Sequence, residues 1–234
     1  MKFRVGIENN NEGRSIAWAV EHPGCYAHGE NADGALANLP GVIQRYAKWI
    51  GQRETPWIET DTIELEIDGT WAVYFVNDAL DRVPQGEDSY SVEAWFQYDW
   101  KPLTTADIER GLKLLAWSRQ DLLDTVKGLS PEKLAQTYPG ERWSIAGILK
   151  HISGGEWWYL ERIGFPNPIS EKDIPDDPFE GLEMVRKNFN YVLPKLEGLH
   201  IVAGLDGEFW SPRKTLRRTL WHERDHTTHI RKLL

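Results

Sequence analysis

Three histidines stand close together in the stretch LWHERDHTTHI: His222, His226 and His229. At about 100° per residue they fall near 0°, 40° and −20° on a helix, one narrow stripe. Arg217, Arg218, Glu223, Arg224, Arg231 and Lys232 occupy the other faces, so the stripe is expected to face inward and these charges the solvent. Neutral imidazoles gathered on an inward face need a shared partner, and a divalent metal is the obvious one. A fourth histidine, His151, lies in WSIAGILKHISGGEWWYL among Ile148, Ile152 and Trp158. His151 sits about 10 Å inside its Trp-Ser helix start, and His222 and His226 about 16 and 22 Å inside theirs. In two antiparallel helices of about 30 Å, His151 would come level with the His222–His226 turn. Three neutral histidines leave the fourth position of a tetrahedral zinc to water or substrate, the arrangement of a catalytic site.

His222-Glu223-Arg224-Asp225-His226 also fits the H-E-x-x-H pattern of zinc proteases. The protease reading fails on its third ligand. Such enzymes take a glutamate well downstream or a histidine after a glycine turn. Here the residues after His226 include no glutamate and no glycine. Glu223 is moreover turned about 100° from His222, which in a bundle points it to solvent.

The elements that must position these groups divide the chain in two. Lys2–Glu8 and Ser15–Val20 alternate with the two-residue period of strands, joined by a turn at NNNEG. Ala32–Trp49 follows helical spacing, with Pro40 predicting a kink or a break. Thr62–Ile67 and Trp71–Val76 flank Asp68-Gly69, a hairpin signal, and a further strand is expected over Tyr90–Tyr98. DWKPLTTAD reads as a seam. Helices are then predicted at Ala106–Leu129, Ser144–Ile163, Pro178–Leu196 and Pro212–Leu233, a four-helix bundle. The connection GFPNPISEKDIPDD exceeds a tight turn, and would let the second and third helices run parallel.

Composition narrows the function classes. Residues 1–100 carry 17 acidic and 7 basic side chains, net −10, and the remainder 19 and 20, net +1. Neither part has the basic surplus that phosphate contacts require, so nucleic-acid binding is not expected. No apolar run approaches the roughly 20 residues of a membrane span, and MKFRVGIENNNEGR lacks a signal-peptide core. The single cysteine, Cys25, excludes an internal disulfide and reads as a small buried side chain. A cytoplasmic location is expected.

The four-helix pattern, ERWSIAGILKHI and SPRKTLRRTLWHERDHTTHI together resemble the DinB/YfiT-like superfamily of bacterial metal-binding bundles. The resemblance implies one histidine from the second helix and two from the last as ligands: His151, His222 and His226. It also implies that those helices are antiparallel, and that Zn²⁺ or Ni²⁺ is the metal. Many members continue after the last histidine as HRGQ, whereas His229 is followed here by IRKLL, nearer the YfiT branch. His229 and Asp225 then become candidates to support the ligands from behind, and Trp158 and Trp221 candidates to line a pocket. EHPGCYAHGENADGALANLPGVIQRY resembles, in part, the HicB-like fold, with Asp33-Gly34-Ala35 where a Glu-Ala pair is usual.

The expected fold is therefore α+β in two domains: a small α/β HicB-like module over residues 1–100 and an all-α DinB-like four-helix bundle over 104–234. A metal on three histidines offers Lewis-acid activation, of water in a hydrolase or of a thiol in an S-transferase. The resemblance implies the thiol reaction, with a low-molecular-weight thiol as co-substrate; no second catalytic group is evident in the sequence. A small-molecule substrate is the expected partner, and bundles of this type commonly dimerise, so a homodimer is the self-association to test. The rival is a non-catalytic, metal-stabilised bundle whose HicB-like module docks a protein partner.

Overall fold

The computed structural model describes residues 1–86 and 88–234. The chain forms two units, Met1–Lys101 with Gly204–Lys214, and Pro102–Ala203 with Thr215–Leu234.

In the first unit, apolar alternation builds a hairpin of β1 (Lys2–Asn11) and β2 (Arg14–Ala19), with Gly13 supplying the positive φ the turn needs. β3 (Tyr26–Gly29) pairs with β2, and the chain enters α1 (Ala32–Gly51), capped by Asn31 Oδ1 accepting from Gly34 N at 2.9 Å. Ala35, Leu39, Ile43, Tyr46, Ala47 and Ile50 form its buried stripe. The predicted break at Pro40 does not occur; the helix runs through it as one element. β4 (Glu64–Ala72) returns parallel to β1, giving the order β3-β2-β1-β4.

β4 corrects a second expectation. Asp68-Gly69 closes no hairpin but lies inside the strand, where Val5 pairs with Ile67 and Gly6 with Gly69. Asp68 is the extra residue of a bulge. Its carboxylate accepts from Tyr98 N at 3.1 Å, a partner in sequence too distant for a turn rule to see. β5 (Tyr74–Val76), β6 (Arg82–Val83) and β7 (Tyr90–Val92) form a second small sheet, ordered β6-β5-β7. The strand expected over 90–98 ends at Val92, and Gln97–Trp100 is a 3₁₀ turn. Glu8 is fully buried, accepting from Trp18 Nε1 at 2.9 Å and Ala94 N at 3.1 Å. Cys25 is buried, as expected.

The second unit begins with α2 (Thr105–Val126), whose Thr104 and Asp107 cap each other reciprocally. A short α3 (Pro131–Ala135) was not anticipated. α4 (Ile145–Glu161) starts at Ser144, whose Oγ accepts from Gly147 N, and α5 (Pro178–Val192) at Asp177, with a 3₁₀ turn over Leu193–Leu196 closing it. β8 (Ala203–Leu205) and β9 (Glu208–Trp210) then form a hairpin before α6 (Pro212–Leu233).

The expected helical part ran unbroken from 104 to 234, whereas Gly204–Lys214 groups with the first unit. Aromatic packing explains it: Phe209 lies 5.8 Å from Trp95 and 6.3 Å from Trp100 between ring centroids, and Ser211 Oγ donates to Asp99 O at 2.7 Å.

Contacts fix the helix directions in the second unit. Thr215, His222, His226 and His229 meet Tyr159, Gly155, His151 and Glu141 in turn, so α4 and α6 are antiparallel. Ser153 and Glu156 meet Gly181 and Arg186, so α4 and α5 run parallel across the proline-rich connection. Arg119 and Thr125 meet Glu223 and Arg231, so α2 and α6 are parallel. The bundle is thus up-down-down-up. Leu122, Val126, Ile145, Ile148, Leu149, Ile152, Leu182 and Ile230 form an apolar cluster in it. Among the described residues no helix is long and apolar enough to cross a membrane.

Candidate metal centre

α4 contributes His151 two turns after its serine cap, and α6 contributes His222 and His226 one turn apart. Their Nε2 atoms converge: His151 to His222 at 2.9 Å, and His226 to His222 at 3.1 Å. The rings stand at steep angles to one another, 67° to 90°, with centroids 4.5 to 4.9 Å apart. At Zn–N distances of 2.0–2.1 Å, the nitrogens of a tetrahedral site lie about 3.3 Å apart. The two distances to His222 are a few tenths of an ångström shorter than that, all three ligand atoms lie within 4.8 Å of one another, and the cluster could hold a metal ion.

Neighbouring residues shape the cluster. Trp143 stacks on His151, centroids 4.4 Å apart and planes 24° from parallel. Tyr159 meets His222 edge-on at 5.7 Å. Gly155, one turn after His151, makes room for the second helix: a Cβ placed there would lie 2.7 Å from His222 Cε1. Sequence reading passed over Gly155, although a Gly-Gly pair inside an otherwise apolar helix, costing about 1 kcal/mol per glycine against alanine, was a usable signal.

All three imidazoles are held neutral. Burial pushes His222 well below its ordinary value, and His226, His151 and Arg218 add to the effect. Burial likewise lowers His226 to about 4, assisted by His151 and opposed by Asp225. His151 is lowered by burial and then by Arg142. Neutral rings with free lone pairs are what a cation needs. His226 Nδ1 is buried and has no hydrogen-bond partner among the described residues.

The other candidates are dispersed. His229 is turned to Glu141, Nε2 to Oε2 at 2.9 Å, with its ring 6.2 Å from that of His226. Asp225 is half-buried, and acts on His226 through its charge. Trp158 is exposed and lies under the Arg162 guanidinium. Trp221 is 6.1 Å from His222 between centroids, and is covered by Arg218 at 4.1 Å.

Expected exposure fails for three charges of α6. Arg217, Arg218 and Glu223 are all buried. Glu223 faces Arg119 Nε at 2.6 Å and Arg186 Nη2 at 3.0 Å. Glu156 meets the same two arginines, Arg119 Nη2 at 2.8 Å and Arg186 Nε at 2.7 Å. Burial would raise the Glu223 carboxyl, but Arg186 and Arg119 outweigh it and hold it below the ordinary carboxylate range. The glutamate of the H-E-x-x-H match is therefore engaged by two guanidinium groups. Periodicity alone had no way to find partners that come from other helices.

A sequence model of the DinB superfamily matches residues 114–230, a span that includes all three histidines, the whole of α4 and most of α6. No curated protein and no solved structure matches the chain. With half of its length matched by that model, the chain belongs to the DinB superfamily.

Proposed function

We propose that the chain binds one divalent cation, Zn²⁺ or Ni²⁺, through Nε2 of His151, His222 and His226, and acts on a small molecule as a metal-dependent thiol S-transferase. The observation that carries this reading is the convergence of three neutral imidazole nitrogens, 2.9 and 3.1 Å apart, from two helices. When bound, such a cation supplies Lewis acidity at its remaining position, lowering the pKa of a coordinated thiol or water. Thiol chemistry is favoured over hydrolysis because Glu156 and Glu223 are engaged by Arg119 and Arg186 and offer no free general base for a water. In this reading His229, held at Nε2 by Glu141 one turn beyond His226, supports the site from behind.

The first unit is proposed as a docking or substrate-lid module of HicB-like kind. Its support is the β3-β2-β1-β4 sheet backed by α1. The DinB match does not extend to it.

Metal content by plasma mass spectrometry, on untagged wild type beside His226→Ala, tests the reading. About one equivalent in the wild type and none in the variant is the expected result, followed by a screen of low-molecular-weight thiols. Wild type that takes up neither zinc nor nickel would overturn it.

A further inference from the structure

Arg119, Glu156, Arg186 and Glu223 come one each from α2, α4, α5 and α6, and all four are buried. Each carboxylate faces both guanidinium groups. Each arginine also reaches the opposite arginine's helix: Arg119 Nη1 donates to Leu182 O on α5, and Arg186 Nη1 to Leu115 O on α2. Both acceptors stand four residues before the other arginine, so the arrangement has an approximate twofold character. Two positive and two negative groups leave no net charge.

The quartet lies at the level of the histidines. On α4, Glu156 follows Gly155, the residue against which the His222 ring is seated. On α6, Glu223 follows His222 itself. Sliding α4 along α6 by a single residue, about 1.5 Å, would separate His151 Nε2 from His222 Nε2 and pull at least one glutamate away from the two arginines that both glutamates share. Apolar contacts tolerate such slips better than paired forks do, because they lack direction.

We infer that the Arg119–Glu156–Arg186–Glu223 quartet is a positioning device for the metal centre, fixing the register of α4 and α6 so that three imidazoles are in place before a cation arrives. The inference rests on the three-histidine reading above. These are positioning residues, acting on the metal through the helices that carry its ligands.

Buried ion pairs replaced whole by apolar groups of similar volume commonly leave a fold as stable or more so, which separates positioning from stability. The test is Co²⁺ titration of the full chain, followed by visible absorption, beside urea unfolding. The quadruple variant Arg119→Met, Glu156→Leu, Arg186→Met, Glu223→Leu is expected to stay folded with undiminished urea resistance. It should bind Co²⁺ at least about tenfold more weakly, with altered visible bands. A folded quadruple variant with wild-type affinity and spectrum would overturn the inference. Should it fail to fold, Glu223→Gln under conditions where urea curves show it folded gives the same decision: weakened cobalt binding supports positioning, unchanged binding overturns it. Wild type that binds no cobalt would instead overturn the site reading, and this inference with it.

Discussion

The three histidines and the two glutamates of the Arg–Glu quartet sit on the same two helices, α4 and α6, yet the two clusters handle burial in opposite ways. In the quartet every charge is opposed by two of the other sign. The histidines carry no opposing charge among themselves, and His222 and His226 meet burial by refusing protons. The charges of one cluster are balanced within the chain; the other, in the proposed reading, is completed by a cation from outside. The difference teaches that burial of polar groups is met here in two ways: by counter-charges from other helices, and by loss of charge, which leaves lone pairs that suit a cation.

His222→Ala should have the largest effect, because His222 Nε2 is within 3.1 Å of both other ligand nitrogens. Metal binding should be lost on mass spectrometry, while calorimetry of the metal-free protein shows a melting temperature no lower than wild type. A variant still holding one equivalent would break the contrast. Glu223→Ala should behave in the opposite sense, destabilising the metal-free protein by about 3–5 kcal/mol in urea because two buried guanidinium groups lose a partner. A loss below about 1 kcal/mol would reduce the quartet to the worth of a surface pair.

Gly155→Ala probes the boundary between the clusters. Its Cβ would press the His222 ring from 2.7 Å, so zinc affinity should fall about tenfold to a hundredfold by competition with a chelating dye. Stability should change little, since alanine favours the helix by about 1 kcal/mol.

Acid should separate the clusters in sequence. His226 holds its neutral form down to about 4, so an unfolded chain takes up a proton near pH 6.5 that the native state refuses. Metal-free stability should be flat above that value and fall as pH drops toward 4. Glu223, held below its ordinary carboxylate value, adds its own loss at lower pH, as it is protonated. Melting temperature against pH should show a decline that starts near 6.5 and continues below 4.5; a flat profile down to 4.5 would mean that the histidines are not held neutral. The smallest effect is expected from Glu141→Gln, about 0–1 kcal/mol in urea, since its pair with His229 is one-third exposed.

Much of the second unit was legible in the sequence. Trp-Ser-Pro opened α6 where expected, because a serine cap and a proline at the first position are local signals. His151 was matched to His222 and His226 by rise per residue, and the antiparallel contacts give that match. Legibility ended where a residue's partner lay on another element. Asp68-Gly69 carried a turn signal but sits in a strand held by β1 and Tyr98. Arg217, Arg218 and Glu223 were placed in solvent because pattern reading assigns charge to the surface.

The sequence by itself determined the four long helices of the bundle, where they begin and that His222 and His226 share a face, since capping and the 3.6-residue period act within a few residues. Only the tertiary structure decided that Glu223 serves two arginines rather than water or a metal. Those arginines lie 104 and 37 residues away, and burying a charge becomes tolerable only once folding has brought its counter-charge alongside.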